Sequence, residues 1–538
     1  MPLLSDPVVT DPQQVRDWDA ATRARDGIAS LELMERAARA FAEYFVRCYP
    51  LGEVERVDVL CGPGDNGGDG AAIARLLEAS GYTTTVWGWW GSDSRRSADL
   101  QANWRRLVDK GHRRLHVNRE YDFGAAPQVV IDALFGVGTN RELGGAFAET
   151  VRTLNDAAPA GTEPEGSTGD RPSGLTVVSV DVPSGQRIDG SAPEWLCVDA
   201  DVTVTFGALK LSALLPGTGL AWGSIRRLDL DLAMPVAVPE GGTGLLSAGA
   251  VTRLAGPRDR FTHKGTYGHV LVLAGSRGHA GAALLCGRGA YRAGCGLVTF
   301  FAPARLESTL QLGLPEAMVR CDPDDECLTI LPELTPYDAI VVGPGIGTDS
   351  RTATVVRELC AEAGERPVVF DADALNVIAA DGSLVDLLPA RSILTPHPGE
   401  FRRLAGGSVA DSERYDRLRT FAAALPSDEA VVVLKGQYTA LCNRRGDLGF
   451  NVFAGNPGMG TGGVGDVLAG AIAGCAAQLA GTAQPRSYRG EVAWGAASAA
   501  VLAHARAGDL AAEELGQAGL LAGDVADRLG RALRELAS

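Results

Sequence analysis

The stretch Asn456–Gln478, "NPGMGTGGVGDVLAGAIAGCAAQ", carries the strongest structural signal in this chain. It predicts a glycine-rich loop followed by a helix that starts near Asp466, with the loop glycines at Gly460, Gly462, Gly463 and Gly465. A helix N-terminus with free loop amides suits a phosphoryl group. Asp466 stands where it can accept a proton from a hydroxyl that attacks phosphorus. The alternative is an aspartate that only caps the helix after a flexible turn.

The sequence around this stretch predicts a mainly parallel sheet with crossover helices. The strand-like runs of the second half are "GHVLVLAGS", "GLVTFFAP", "YDAIVVGPG", "RPVVFDADAL", "ARSILTPHP" and "AVVVLKG". The first half has its own series, "RVDVLCG", "TTTVWGWW", "PQVVIDALFG", "LTVVSVDVP" and "ADVTVTFG". Their nearly continuous apolar content is typical of parallel strands that are covered on both faces. We therefore predict an α/β protein.

A segment rich in proline and glycine, Pro235–Gly244, separates the two series. We predict one domain over residues 1–235, a linker over 236–246 and a second domain over 247–538. Each domain is long enough to bury its own core. The polar stretch Ala158–Gly174 is predicted to be a surface loop insertion.

The composition excludes several classes of partner. The chain has 538 residues and a net charge of −16, which disfavours nucleic acid and anionic membranes as partners. No apolar run reaches the roughly 18 residues of a membrane span, and the first residues do not resemble a signal peptide. We therefore expect a cytoplasmic protein. The ten cysteines suit free thiols, and Cys321 and Cys327 lack the further ligands of a zinc site.

A second glycine-rich segment, Cys61–Gly70 or "CGPGDNGGDG", follows a strand in the first half and precedes the predicted helix "AAIARLLEAS". Its spacing Gly62-x-Gly64-x-x-Gly67 matches the dinucleotide-binding pattern, although a tight turn without a ligand fits it equally well. Carboxylates are unusual in a loop that holds phosphate. The segment therefore raises the question of what its two aspartates do.

Two further strands end in aspartate. "VIDALFGVGTNREL" contains Asp132 before another glycine-rich turn, and "VVSVDVPSG" contains Asp181 and Ser184. The carboxyl ends of parallel strands meet at one edge of a sheet, so we expect these side chains to converge with Asn66 and Asp69. Such an oxygen-rich cluster suits a hard cation. Each acid taken alone is also explained as a cap or a turn residue.

Five stretches of the first half resemble the NAD(P)H-hydrate epimerase family over roughly residues 12–235: "LMERAA", "CGPGDNGGDG", "IDALFGVGTNREL", "VDVPSG" and "ADVTVTFGALK". The resemblance implies K⁺ ligands at Asn66, Asp132 and Ser184. It implies that Asp181 is the acid/base that epimerises the hydrate carbon. The implied substrate contacts are Asp65, Asn66, Gly67, Gly68, Asp69, Gly136, Val137, Gly138, Thr139, Asn140, Arg141, Glu142 and Asp181.

Asp65 departs from this family pattern, because family loops commonly have asparagine there. The change replaces an amide that can donate a hydrogen bond by a carboxylate that only accepts, facing an anionic ligand.

The second half resembles the ribokinase-like superfamily, in which a loop ending in Gly-Asp holds the anion. Within it, "HKGTYGHVLVLAGS", "GHAGAALL", "GPGIGT", "DADALN", "LTPHPGE", "LKGQYT" and "GMGTGGVGDVLAG" resemble the ADP/ATP-dependent NAD(P)H-hydrate dehydratases over roughly residues 245–535. The implied substrate contacts are Ala282, Gly345, Gly347, His397 and Asp466. The implied nucleotide contacts are Lys435, Gly436, Gln437, Tyr438, Thr439 and Gly465. Asp371 is a weaker candidate near nucleotide and Mg²⁺, and His397 is equally explained as a turn residue with a satisfied ring.

Together the resemblances imply a Rossmann-like three-layer sandwich fused to a ribokinase-like α/β domain. They imply the substrates NADHX and NADPHX, ADP or ATP as co-substrate, K⁺ in the first domain and Mg²⁺ in the second. The first domain would interconvert the R and S hydrates, and the second would dehydrate one of them. We expect a homo-oligomer. The alternative is a small-molecule kinase of the same superfamily fused to a dinucleotide-binding domain without turnover.

Overall fold

The computed structural model describes residues 4–90, 96–123, 128–157, 175–235, 237–408, 410–481 and 492–537. The chain divides into two compact units, Pro7–Val236 and a second one that joins Met1–Asp6 to Ala237–Ser538. The predicted insertion Ala158–Gly174 lies outside the described residues. Among the helices that the structure describes, none is both long and apolar enough to cross a membrane.

The first unit is built on a seven-stranded sheet. Strand β1 (Leu4–Pro7) belongs to the other sheet. The seven strands of this one are β2 (Arg56–Cys61), β3 (Thr83–Gly88), β4 (Leu115–Val117), β5 (Val129–Ala133), β6 (Thr176–Val180), β7 (Val202–Phe206) and β8 (Ser224–Leu228). Its helices are α1 (Pro12–Asp26), α2 (Ser30–Cys48), α3 (Asp65–Ala79), α4 (Ala98–Asp109), α5 (Ala146–Ala157) and the short α6 (Pro216–Gly219). The strand order is β4-β3-β2-β5-β6-β7-β8, and every neighbouring pair is parallel.

Both faces of this sheet are buried, which explains its nearly continuous apolar strands. Val59, Ile131 and Val178 pack in one cluster with residues of α2 and α3. Leu60 and Val130 face the other way, into a cluster with residues of α5. Alternate residues of a strand point to opposite faces, so a sheet covered on both sides needs apolar residues at every position. The prediction of a three-layer arrangement is confirmed.

The second unit is built on an eleven-stranded sheet in the order β1-β9-β18-β17-β16-β15-β14-β13-β10-β11-β12. Its further strands are β9 (Thr243–Leu246), β10 (His269–Leu273), β11 (Leu297–Pro303), β12 (Met318–Asp322), β13 (Ala339–Val342), β14 (Val368–Phe370), β15 (Ser392–Leu394), β16 (Val431–Leu434), β17 (Ala440–Asn443) and β18 (Leu448–Phe450). Its helices are α7 (Gly249–Leu254), α8 (Ala280–Arg292), α9 (Glu307–Gly313), α10 (Ser350–Glu362), α11 (Asp373–Ala380), α12 (Pro398–Leu404), α13 (Arg414–Ala423), α14 (Val464–Ala480), α15 (Val492–Leu515) and α16 (Ala522–Ala537).

In the order of the sheet, the strands β12, β11, β10, β13, β14, β15 and β16 pair in parallel, as predicted. Strand β17 is antiparallel to both of its neighbours. The structure differs from the predicted boundaries at the other end of the sheet. Strand β1 belongs to this sheet although it precedes the first unit, and β9 forms part of the predicted linker. Leu4 and Leu246 are buried in the main apolar cluster of this unit, which is why both segments join its core.

Both glycine-rich segments become helical earlier than predicted. Helix α3 begins at Asp65, so Gly67, Gly68 and Gly70 lie inside it. A Cβ atom on Gly67 would lie 1.9 Å from the carbonyl oxygen of Gly62, and one on Gly70 would lie 2.7 Å from Ala133 Cβ. These glycines therefore let α3 approach the sheet closely. Helix α14 begins at Val464, two residues before the predicted start.

Candidate active sites

The first candidate site lies at the carboxyl edge of the first unit's sheet. Strands β2, β5 and β6 are neighbours there. Asp132 is near the end of β5, Asp181 directly follows β6, and Asp65 opens the helix that follows β2. The parallel topology therefore brings the ends of all three predicted motifs to the same edge.

Asp132 and Ser184 are joined directly. Asp132 is fully buried, and its Oδ2 accepts hydrogen bonds from Ser179 Oγ at 2.8 Å and from the Ser184 backbone N–H at 2.9 Å. Burial raises the pKa of Asp132, although these hydrogen bonds oppose the shift. Ser184 Oγ accepts from Phe135 N–H at 2.8 Å and donates to Phe135 O at 3.0 Å. The expected convergence of the β5 and β6 ends is thus present.

Asn66 brings a buried amide to the same edge. Its Nδ2 has no hydrogen-bond partner among the residues that the structure describes. A Cβ atom on Gly136 would lie 3.3 Å from Asn66 Oδ1, so the amide contacts the second glycine-rich turn. A buried amide without a partner is costly and suits a ligand-binding role. Asn66, Asp132 and Ser184 offer only hard oxygen donors to a cation, as K⁺ requires.

Asp181 has an unusual backbone and a strongly bound side chain. Its φ is 67°, a left-handed conformation that costs energy for a residue other than glycine. Its Oδ1 accepts hydrogen bonds from Thr205 Oγ1 and from Phe206 N–H, both at 3.1 Å, and forms an ion pair with Lys210 Nζ. Strain held by several contacts is typical of functional sites.

Two more carboxylates lie close enough to Asp181 for its charge to raise their pKa. Burial raises the pKa of Asp69 well above its ordinary value, and the charges of Asp181 and Asp65 add to this effect. Burial also raises the pKa of Asp19 on α1 to about 6, with a further contribution from Asp181. Asp65 itself is exposed on the first turn of α3. The sequence patterns did not predict roles for Asp19 or Lys210; a lone lysine at the end of the apolar run "ADVTVTFGALK" was the available signal.

A cleft of about 970 Å³ in the first unit contains much of the predicted substrate-binding turn. Its lining includes Gly138, Thr139, Asn140, Arg141 and Glu142. The lining also includes aromatic and polar residues from other segments, among them Trp89, Trp90, Asn118, Arg119, Phe135 and Phe147, and the acids Glu120 and Glu149. Such a mixture of aromatic, apolar and guanidinium groups suits a dinucleotide. The residues that follow β3 and β4 were not predicted, because only the fold brings those strand ends beside the turn.

The second candidate site lies at the carboxyl edge of the second unit's sheet. Asp466 is the third residue of α14, whose N-cap Gly463 has φ 91°. Burial and the nearby charge of Asp371 raise the pKa of Asp466 to about 7, and Lys435 acts in the opposite direction. A carboxylate with a pKa near neutrality is a general base that is readily charged and discharged at physiological pH.

Lys435 connects this aspartate to the ends of the central strands. Its Nζ lies 2.8 Å from Asp371 Oδ1 and 3.9 Å from Glu400 Oε2. Burial lowers the pKa of Lys435, but the nearby carboxylates outweigh it, so the net shift is upward. A Cβ atom on Gly465 would lie 3.4 Å from the same Nζ. Lys435 and Gly465, both predicted nucleotide contacts, are therefore neighbours. Gly436, Gln437, Tyr438 and Thr439 form the turn between β16 and β17.

His397 caps α12. Its Nδ1 accepts a hydrogen bond from Gly399 N–H at 2.9 Å, and its backbone N–H donates to Glu400 Oε2 at 2.8 Å. His397 Nε2 lies 3.4 Å from Glu400 Oε1, and about half of the ring remains exposed. The interpretation of His397 as a turn residue is thus confirmed for Nδ1, and Nε2 lies beside Glu400 Oε1. The role of buried Glu400 was not predicted.

The remaining predicted contacts gather around β13. A Cβ atom on Gly345 would lie 2.7 Å from His279 Cβ and 3.4 Å from Ala282 Cβ, so Gly345 and Ala282 are adjacent. Gly347 N–H donates to Asp373 Oδ2 at 2.9 Å. The positive φ values of Gly345 and Gly347, 63° and 75°, explain why glycine stands at both positions.

Two family models match this chain, one in each unit. A family model described as "YjeF-related protein N-terminus" matches residues 30–212, and one described as "NAD(P)H-hydrate dehydratase" matches residues 270–531. A solved ADP/ATP-dependent NAD(P)H-hydrate dehydratase from Bacillus subtilis, co-crystallised with ATP/Mg²⁺, is 30% identical. It covers 54% of this chain and 98% of its own, with a TM-score of 0.43.

Full-length relatives cover both units. The bifunctional NAD(P)H-hydrate repair enzyme Nnr of Thermofilum pendens is 33% identical over 97% of this chain and 95% of its own length. The enzyme of the same name from Moorella thermoacetica is 33% identical over 95% of this chain and 93% of its own. That from Escherichia coli is 32% identical over 94% and 90%, respectively. This chain therefore belongs to the family of bifunctional NAD(P)H-hydrate repair enzymes.

Proposed function

We propose that the first unit interconverts the R and S forms of NADHX and NADPHX, and that the second unit dehydrates the S form to NADH or NADPH. The dehydration consumes ADP, or ATP in its place, and with ADP it releases AMP and phosphate. The observation that carries the proposal is the half-buried Asp466 on the first turn of α14, near Lys435 and Asp371. This is the arrangement that phosphoryl transfer to a hydroxyl requires.

The dehydration works by turning a poor leaving group into a good one. Asp466 removes the proton of the hydrate hydroxyl, whose oxygen attacks the terminal phosphorus of the nucleotide. The loop amides before α14 bind the transferring phosphoryl group, and Lys435 balances its negative charge. The carbon–oxygen bond then breaks, phosphate leaves with the electron pair, and a proton leaves the neighbouring carbon. Mg²⁺, held with the nucleotide near Asp371, would screen the phosphate charges.

Epimerisation needs an acid/base at a carbon that carries both a hydroxyl group and the ring nitrogen. Asp181 takes the hydroxyl proton, and the carbon–nitrogen bond breaks as a carbonyl forms. The proton then passes to the ring nitrogen, and closure on the opposite face of the carbonyl reverses each step. Because proton and bond changes cancel over one cycle, the reaction needs no nucleotide and no oxidant.

K⁺ would be held by Asn66, Asp132 and Ser184, where it would fix the glycine-rich turns beside the substrate's phosphates. The support is chemical: Asn66 Oδ1, Ser184 Oγ and the buried carboxylate of Asp132 are hard oxygen donors at one edge of the sheet. The substrate itself would contact the turn Gly136–Glu142 and the first turn of α3.

One assay tests the whole proposal. The protein is mixed with NADH hydrate and with ADP, ATP or no nucleotide, and the recovery of NADH absorbance is followed. We expect recovery with a nucleotide only, and complete recovery from a mixture of epimers. Absence of recovery with either nucleotide would contradict the dehydratase assignment and favour the small-molecule kinase. Recovery that stops after one epimer is consumed would contradict the epimerase assignment alone. The homo-oligomeric state and the cytoplasmic location stay predictions.

A further inference from the structure

Lys210 is a fully buried cation in the first unit, with 1% of its surface exposed. Burying an ammonium group is costly unless each of its N–H bonds finds an acceptor. Lys210 Nζ has three: Asp181 Oδ1, Thr205 Oγ1 at 2.7 Å and Phe206 O at 3.3 Å. An ammonium has three N–H bonds, so all of them are used within the protein. Lys210 is therefore not available as a ligand for substrate.

The two carboxylate oxygens of Asp181 have different surroundings. Oδ1 accepts from Lys210 Nζ, from Thr205 Oγ1 and from Phe206 N–H. Within the described parts of the chain, Oδ2 accepts no hydrogen bond. The backbone of Asp181 is also fixed, because its N–H donates to Val204 O at 2.8 Å. One oxygen is thus held by the β7 segment and the other is left to react.

We propose that Lys210 is the positioning residue of the epimerase site. It holds Oδ1 in an ion pair, among the neighbouring acids Asp19, Asp65 and Asp69. Oδ2 is then the single atom that takes the proton from the substrate hydroxyl and returns it to the ring nitrogen. This inference rests on the proposed role of Asp181 and adds the residue that aims its side chain.

Strand β7 offers a matched pair of variants. Thr205 and Thr203 are both fully buried, and both lie on the same face of the strand because they are two residues apart. Thr205 Oγ1 donates to Asp181 Oδ1 at 3.1 Å, whereas Thr203 Oγ1 donates to Trp222 O at 2.7 Å. Thr205→Val and Thr203→Val therefore remove equivalent hydroxyl groups, one inside the Lys210–Asp181 contact and one outside it.

The experiment follows exchange between purified S and R NADHX without nucleotide. We expect Lys210→Met to lower kcat about 100-fold with little change in KM, and Lys210→Arg to recover part of that loss. Thr205→Val should lower kcat about tenfold, and Thr203→Val should not change it. A positioning role predicts that kcat falls in Thr205→Val and stays unchanged in Thr203→Val. Loss of folded protein would instead lower the active fraction in both threonine variants.

Three outcomes would overturn the inference. Normal kcat in Lys210→Met, with Asp181→Ala inactive, would leave the proposed function intact and exclude Lys210. Equal rates for Thr205→Val and Thr203→Val would exclude the positioning role of Lys210 even if Lys210→Met failed to fold. Persistent exchange in Asp181→Ala would contradict the role of Asp181 and, with it, the role of Lys210.

Discussion

Helices α3 and α14 both begin in glycine-rich segments, yet the two segments are built differently. At α3, a Cβ atom on Gly62 would lie 1.8 Å from Leu134 O, and one on Gly67 would lie 1.9 Å from Gly62 O. At α14, a Cβ atom on Gly462 would meet no atom within 4 Å. The nearest atom to such a Cβ on Gly465 is Lys435 Nζ, at 3.4 Å. Gly62 and Gly67 therefore serve packing, whereas Gly462 and Gly465 leave room for a ligand. The division is by position: Gly64 is unobstructed as well, and a Cβ atom on Gly463 would lie 2.5 Å from Leu285 Cδ1.

Both helix starts have one lysine among several acids, but the two lysines are placed differently. Near α3, Lys210 is paired with Asp181 and only 1% exposed. At α14, Lys435 is paired with Asp371, and its Nζ is the atom nearest to a Cβ on Gly465. A helix N-terminus attracts anions, but a neighbouring cation decides whether a phosphoryl group is stabilised there. Glycine spacing alone therefore does not identify the phosphate site.

The largest expected effect concerns Asp466, the aspartate on the first turn of α14. Asp466→Asn removes the general base and should lower the dehydration rate by about 10²- to 10⁴-fold. Epimer exchange should continue, because Asp181 lies in the other unit. The rate of NADH formation and the rate of exchange are measured on the same preparation. Asp349→Asn, which changes the N-cap of α10, is the control; a loss of the same size there would show that the effect is structural.

Alanine substitutions test which glycines are needed for packing. Gly67→Ala places a Cβ atom into the Gly62 carbonyl, so we expect the first unit to lose several kcal/mol of unfolding free energy, above the usual range of about 1–3 kcal/mol for overpacking. Gly462→Ala has free space and should leave the second unit's stability unchanged while raising KM for the nucleotide. Denaturant unfolding and nucleotide titration separate the two results. Normal stability of Gly67→Ala would contradict the distinction between the segments.

Local patterns carried the strand content, the parallel topology and the convergence of Asp132, Asp181 and Ser184. These features depend on the periodicity of apolar residues and on the order of the strands, and both can be read from the sequence. The start of α3 was misplaced because glycine within a helix resembles a loop unless the contacting backbone is known. Trp89, Asn118 and Asp19 were missed for a related reason: only the tertiary fold brings β3, β4 and α1 beside the predicted turns.

The pH dependence of dehydration should follow Asp466. Its pKa of about 7 means that the charged base is lost as the pH falls through that value. We therefore expect kcat/KM to rise about tenfold per pH unit below pH 7 and to level off above it. Lys435→Met should move this limb to higher pH, because Lys435 favours the charged carboxylate. A profile that is flat from about pH 5 to pH 8 would contradict the role of Asp466 as the base.

The smallest expected effect concerns Asp65, the acid on the first turn of α3. Its side chain is exposed, so water and salt screen its repulsion of an anionic dinucleotide. We expect Asp65→Asn to lower KM for epimer exchange only about two- to fivefold, with kcat unchanged, since single exposed charges contribute less than about 1 kcal/mol. Asp109→Asn, at the end of α4, removes an equal charge and is the control. An equal gain in both variants would assign the effect to net charge. A larger gain in Asp65→Asn that disappears at high salt would mean that the acidic start of α3 weakens substrate binding by its charge, as the comparison with α14 predicts.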